Sequence, residues 1–441
     1  MELILMSTYI EKEKEIPIVD TVDVIVIGGG PAGFGATVAC ARLGVNTLLI
    51  ESSGAIGGIA TSGLMSHWTG EVEGPLLDEL LTRAQDIDRD FEFYKGKILK
   101  GINIINTEKT RLEMLRMLEE SGARWQLFTH FSDVIMEGNK VVGVITESKA
   151  GRHAIKAKII IDASGDGDVA VKAGAEYWCG RESDGALQPM TVMFKVGGVD
   201  YSRAIFPGEF IDDIEVKEGS IQKLGNKILP KPTGHVLLYP NSLPGIVTVN
   251  MTNSINRDGL SPDDVTKADL ECRKQIPIIV DFLRRYAPGY EDCYLITSAP
   301  QIGVRETRHV KGLYIFNEDD IASGRTFEDW IVTRCWFFFD LHNVSGPGLD
   351  DNGSVYTKES NFFTMPYRCF IPKGIDGMFV AGRCISGTHL AHSAYRIMPI
   401  CLNMGQGVGT AAAYCVNNSV SPKEASVTSI QKMLRKQGVE L

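Results

Sequence analysis

DVIVIGGGPAGFGATVACARLGVNTLLIESS, residues 23–53, is the stretch from which the fold is read. Residues 24–27 form a continuous apolar run, the pattern of a strand buried on both faces of a parallel sheet. Gly28, Gly30 and Gly33 follow at G-x-G-x-x-G spacing, a helical stretch runs to about Leu43, and Gly44 supplies a stop. Residues 47–50 make a second apolar strand, which ends in Glu51, 18 residues after Gly33. Each part has a task in holding a dinucleotide. Gly28 permits the tight turn, Gly30 lets the backbone approach a pyrophosphate, and Gly33 lets helix and strand pack closely. Pro31 stands near the first helical position, where its missing N–H costs nothing. The helix N-terminus, including Ala32, directs free N–H groups and partial positive charge at phosphate. Glu51 is placed to accept hydrogen bonds from ribose hydroxyls. A preceding strand, a following helix and an acid at this distance are the context that the motif requires. The motif by itself does not separate FAD from NAD.

Three further segments extend this unit. SSGAIGGIATSGLMSHWTG, residues 52–70, is a second glycine-rich stretch, expected to run along the cofactor away from its adenine end; the alternative is an ordinary flexible loop. From Trp125 the chain reads as a β-meander, with turn signals at EGN and KAG between strands rich in Val and Ile. It ends in the buried-type strand 159–161, followed by the small and acidic residues ASGDGD, which suit either a second nucleotide contact or a polar loop and helix cap. Residues 378–415 give a short strand, Gly382-Arg383, a loop, and a helix of small residues from about Pro399, suited to close packing on another backbone.

Bulk properties narrow the class. With 441 residues the chain has core for two or three domains. The net charge is −10 and no dense Lys/Arg run occurs, which argues against nucleic acid or an anionic membrane as the main partner. The nine cysteines are scattered, with no C-x-x-C and no zinc or iron–sulfur spacing, so reduced thiols in a cytoplasmic setting are expected, mostly as small buried hydrophobes. The N-terminal stretch MELILMSTYIEKEKEIP is too short in its apolar part for a signal segment, and no run reaches the roughly 18 apolar residues of a membrane helix.

The quoted segments, with QIGVRETR, MPYRCFIPKGIDGMFVAGRCIS and RIMPICLNMGQGVGTAAA, resemble the flavoprotein superfamily with the glutathione-reductase-type FAD fold. Within it the chain is similar to the broad FAD-dependent oxidoreductase family. The match runs through nearly the whole chain in order; it is specific for fold and cofactor and leaves the substrate open. It implies FAD held by three regions. The first comprises Gly28, Gly30, Pro31, Ala32, Gly33, Glu51 and Ser52, continuing through Gly57, Gly58, Ile59 and Ala60. The second is Phe131 of the meander with Ala163, Ser164 and Gly165. The third is Gly382, Arg383, Met398 and Ile400. No second G-x-G-x-x-G unit and no paired redox cysteines are present, which sets the chain apart from the pyridine-nucleotide disulfide reductases and from relatives with an iron–sulfur centre.

Residues 176–365 change pattern. MTVMFKVGG, HVLLYP, GIVTVNMT and CYLITSAP read as strands, and the stretch from SPDDV to RYAPG as one helix with a Ser/Asp start and a kink or break at Pro277. The expected architecture is therefore an α/β Rossmann-like FAD-binding domain, parallel sheet plus β-meander, built from residues 20–175 and 366–425. An antiparallel β-rich substrate or cap domain, 176–365, is inserted into it, and a tail, 426–441, follows. The active site is expected between the two. Arg305 and Arg308 are suited to a substrate carboxylate, to a flavin or pyrophosphate oxygen, or to an internal salt bridge. The aromatic run RCWFFFDLHN is mostly core, with His342 a candidate for the cleft.

His389 and His392, in GTHLAHSAYRIMP, raise three alternatives. They are a metal site, which lacks a convincing third ligand; acid/base or substrate-orienting residues beside the flavin; or histidines bonded to backbone. No metal is assigned. Arg396 is suited to an anionic substrate or the reduced flavin, and His67 is a weaker candidate for acid/base work or covalent flavin attachment. The expected activity is flavin-dependent oxidoreduction of a small organic molecule by hydride transfer at flavin N5. The alternatives are a hydroxylase using O2 and NAD(P)H, and a non-redox FAD-binding protein. The electron partner is unassigned and a homo-oligomer is left open.

Overall fold

The computed structural model describes residues 9–85, 102–350 and 362–441. The apolar start of the N-terminal stretch, residues 1–8, lies outside them. The main sheet has seven strands. Along its path lie Arg124–Gln126, Thr47–Ile50, Ile18–Ile27, Gly151–Asp162, Lys140–Ser148 and His130–Glu137, and Met378–Val380 pairs with the end of Gly151–Asp162. The strand Ile18–Ile27 is flanked in parallel on both sides, Val24 standing opposite Thr47 and Ile159. Its inner half is buried on both faces, which is why this stretch reads as continuously apolar rather than alternating. The meander strands pair antiparallel, turning at the EGN and KAG segments. The long strand Gly151–Asp162 serves both halves of the sheet: its beginning pairs with the meander and its end with parallel neighbours.

The helix Pro31–Arg42 leaves the first strand through Gly28, whose φ of 97° is one that L side chains rarely adopt. It crosses the C-terminal helix Met398–Asn418 at very short range. A Cβ on Gly405 would lie 2.1 Å from the Ala32 carbonyl oxygen, and one on Gly409 would lie 2.4 Å from that of Ala36. Cys40 Sγ donates to Gly409 O at 3.1 Å across the same contact. The small residues of the C-terminal helix therefore set the position of the glycine turn.

The four strands expected in the middle of the chain form one antiparallel sheet, in the order Leu238–Pro240, Val247–Val249, Phe194–Gly197, Tyr294–Ser298. The helix Pro262–Tyr286 packs beside it through Ala268, Cys272, Ile276 and Ile279. Ser261 caps its start, and it continues through Pro277 without ending there. Two hydrophobic cores result. One takes in residues 22–175 and resumes at Val310, while the other draws on residues 190–302 together with Leu64. Among the described residues all nine cysteines are free thiols, eight of them buried. No helix of the described residues is long and apolar enough to cross a membrane.

Candidate active site

One cavity of about 580 Å³ runs from the glycine turn to the antiparallel sheet. At its first end the N–H groups of Ala32 and Gly33 precede the first helical bond, from Phe34 N to Gly30 O at 2.9 Å, and no side chain among the described residues caps them. A Cβ on Gly30 would meet no described atom within 4 Å, although Gly30 stands in the cavity wall. That opening is what close approach of a pyrophosphate requires. The Glu51 carboxylate accepts from Gly29 N at 2.6 Å and from Ser53 N at 2.7 Å, so it ties the turn to the end of the second strand while facing the cavity.

The loop after Gly151–Asp162 closes over the same end. Asp162, fully buried, accepts from Ser164 N and Oγ and from Val169 N and Ala170 N; it is the helix cap, and the residues after it line the cavity. Arg308 holds this loop through Asp166 O at 2.6 Å and through the Asp168 carboxylate, so the internal salt bridge is the partner it takes. Burial, with the nearby Asp162 and Asp166, pushes the Asp168 pKa up to about 6. Arg383 reaches Asp166 with one nitrogen at 3.1 Å, and its buried Nη1 has no partner among the described residues. An open glycine, uncapped helix N–H groups and an unpartnered guanidinium nitrogen together fit a dinucleotide diphosphate.

At the other end the wall comes from the antiparallel sheet and the segment 336–342. The His67 ring stacks on Tyr239, with centroids 4.2 Å apart and planes 12° from parallel. Burial pushes His67 down to about 3, and its Nδ1 has no partner among the described residues. Arg396 Nη2 pairs with Asp340 Oδ2 at 2.8 Å, and His342 Nε2 lies 3.4 Å from the same oxygen. Burial and the Arg305 charge hold His342 down to about 4. Arg305 donates through Nη1 to Pro189 O at 2.6 Å and to Thr191 Oγ1 at 2.7 Å. The N-terminus of the helix Met398–Asn418 opens here through Ile397 and Met398, with no side-chain cap among the described residues.

His389 and His392 stand elsewhere. They lie in the short helix His389–Tyr395, buried and outside the cavity wall. His389 Nδ1 is 2.7 Å from Glu306 Oε1, which also meets His309 Nε2 at 2.9 Å. His392 Nδ1 is 3.3 Å from Gln188 Nε2. Burial alone would raise the Glu306 pKa, but the hydrogen bonds from His309 and His389 hold it below the usual carboxylate range. Burial lowers that of His392. Among the described residues no group of three or more His, Cys, Asp or Glu is arranged to hold a metal ion.

Of the residues singled out in the sequence, Arg305, Arg396, Gly28, Gly30, Pro31, Ala32, Glu51, Ser52, Gly58 and Ile59 line the cavity. So do Phe131, Ala163, Ser164, Gly165, Gly382, Arg383 and Met398. Gly33, Gly57, Ala60 and Ile400 stand behind the wall, as do the two histidines. A Cβ on Gly33 would lie 1.8 Å from Gly28 O, so this glycine serves packing of the turn. Tyr239, Asn250 and Asp340 are in the wall and were not singled out. Their signal was present as an aromatic and two polar residues embedded in otherwise apolar runs.

The parallel sheet, the glycine turn at its strand end and the cavity beside it define a dinucleotide-binding fold of the Rossmann type. The chain belongs to the FAD dependent oxidoreductase family, whose family model matches residues 23–434; it is an FAD-dependent oxidoreductase. Thiamine thiazole synthase of Sulfolobus acidocaldarius is 26% identical over 208 residues, covering 44% of this chain and 76% of that protein. Digeranylgeranylglycerophospholipid reductase 2 of Methanopyrus kandleri is 29% identical over 153 residues, covering 32% of this chain and 37% of that one. Among solved structures, the geranylgeranyl bacteriochlorophyll reductase-like protein of Thermoplasma acidophilum superposes with a TM-score of 0.51 at 14% identity. That superposition covers 95% of this chain and 84% of its own, a likeness of fold.

Proposed function

We propose that the enzyme moves a hydride between a small organic substrate and N5 of FAD, oxidising a substrate C–H bond or, in the reverse sense, reducing a C=C bond. Bound FAD supplies the two-electron chemistry at N5. The observation that carries this reading is a single cavity joining the nucleotide cradle to a cap end whose histidines are held neutral. With His67 and His342 uncharged at pH 7, this end supplies orientation and field rather than a strong base. The N-terminal end of the helix Met398–Asn418 brings partial positive charge to the wall and favours negative charge on whatever lies against it. Arg305 and Arg396 face the substrate volume, and Trp336 and Phe337 limit water beside it. His389 and His392 hold Glu306 and Gln188 in place behind the wall.

The test is an anaerobic visible spectrum of the FAD-loaded protein during addition of NADH, NADPH and candidate substrates. Bleaching by a nicotinamide marks a reductase. A flavin that is bleached only by substrate marks a dehydrogenase that passes electrons to another acceptor. Oxygen-dependent NAD(P)H consumption with a hydroxylated product would overturn the proposal in favour of a hydroxylase. Activity undiminished with a redox-inactive flavin analogue would make the cofactor structural.

A further inference from the structure

Arg305 is the most unusual residue of the cap end. Its side chain is buried, with 9% of the residue exposed, yet it has no carboxylate partner among the described residues. Both its hydrogen bonds use Nη1 and end on neutral oxygens, Pro189 O and Thr191 Oγ1. Nε and Nη2 donate to nothing among the described residues, and Arg305 is part of the cavity wall. The half-buried carboxylate of Asp340, in the same wall, is already engaged by Arg396 and His342, and the buried Glu306 by His309 and His389. Two guanidinium groups against one carboxylate leave a net positive charge in a desolvated place, a costly arrangement unless an anion joins it. Glu209, an exposed residue that also stands in the cavity wall, makes no hydrogen bond to Arg305 among the described residues.

The anchoring of Nη1 also fixes the orientation of the plane. With Nη1 engaged by Pro189 and Thr191, the Nε and Nη2 edge is the fork left to match two oxygens of one planar carboxylate. Around it the wall is apolar, with Met193, Phe210, Leu237 and Ile302, and the stacked His67–Tyr239 pair offers a flat face. Asn250 stands beside Tyr239 with a buried amide oxygen that has no partner among the described residues, a second polar group for a substrate to meet.

We infer that this end of the cavity is a carboxylate subsite: the substrate is a carboxylic acid with an apolar body, its carboxylate held by the Nε/Nη2 edge of Arg305. The inference rests on the hydride-transfer reading for the word substrate, while binding at the subsite is measurable without turnover. The test titrates the FAD-loaded enzyme with benzoate and hexanoate and, in parallel, with benzamide and hexanamide, following the flavin absorption band and the heat of binding. At least one of the acids binds saturably and at least tenfold more tightly than its amide. In R305M that preference is lost, while FAD affinity and flavin potential stay as in the wild type; R305K, which keeps the charge without the fork, falls between. Equal binding of acids and amides by the wild type would overturn the assignment whether or not R305M folds. So would an R305M enzyme that keeps acid binding but shows a changed flavin potential or weaker FAD binding, since the guanidinium would then serve the cofactor. Acid binding that depends on Arg305 in an enzyme that no donor reduces keeps the subsite and sinks the hydride reading instead.

Discussion

Replacing Gly30 by alanine separates the cofactor's needs from those of the fold. The backbone at Gly30 has φ −66° and ψ −178°, which alanine adopts without strain, and the added Cβ meets no described atom within 4 Å. Removing a glycine from the unfolded chain stabilises by about 0.4–1 kcal/mol. Alanine is a poorer N-cap than glycine by about the same amount, so the apo-protein keeps its stability within about 1 kcal/mol. The methyl group, however, adds bulk to the cavity wall at the glycine turn, where the pyrophosphate is proposed to approach. Overpacking of one methyl costs about 1–3 kcal/mol, so at about 1.4 kcal/mol per tenfold FAD affinity falls between about fivefold and 150-fold. Gly33→Ala is the contrast: its Cβ would lie 1.8 Å from Gly28 O, a backbone atom, and the apo-protein itself loses about 3 kcal/mol or more. Urea denaturation of both apo-proteins and calorimetric titration with FAD read the two effects. Wild-type FAD affinity in G30A, or a loss of apo-stability matching that of G33A, would refute the reasoning.

The same geometry sets other outcomes. Gly405→Ala places a Cβ 2.1 Å from the Ala32 carbonyl, so it separates the two helices. Stability falls by about 3 kcal/mol and FAD affinity falls with it, as thermal unfolding with and without FAD will show. His389→Ala removes one hydrogen bond to the buried Glu306 and lowers stability by about 1–3 kcal/mol, with the rate of anaerobic flavin reduction unchanged; a slowed reduction in a folded variant would return His389 to the catalytic list. Asp168 titrates near pH 6 in the fold because burial and its neighbouring carboxylates raise it. Above that pH its negative charge opposes a diphosphate, so FAD binds more tightly as pH falls from 7.5 to about 5.5, and Asp168→Asn flattens the dependence. The apo-protein, conversely, loses stability as pH rises from about 4 to about 6, because the native state still holds a proton that the unfolded chain has released.

The nucleotide half of this enzyme was legible in its sequence because its determinants are local. A buried strand, a left-handed glycine, a proline at the helix start and an acid at the next strand end lie within 31 residues, and each acts on backbone close to it. The small residues of the C-terminal helix likewise announced a close crossing, and the structure supplied its partner, the helix Pro31–Arg42. The substrate end is different in kind. His67 meets Tyr239, Arg396 meets Asp340, and Arg305 gives one nitrogen to Pro189 and Thr191 while standing in the cavity wall. These contacts join segments far apart in the chain, and no periodicity specifies which face of a short element turns inward. For that reason His389 and His392, three residues apart beside the expected flavin site, sit behind the wall on Glu306 and Gln188. Arg305, one arginine of a pair in the sequence, is the one left facing the cavity while Arg308 is taken by Asp168. Local backbone chemistry determined the glycine turn and helix start proposed to hold the dinucleotide; the packing of the antiparallel sheet against the parallel-sheet core decided which side chains are left unpaired in the cavity wall.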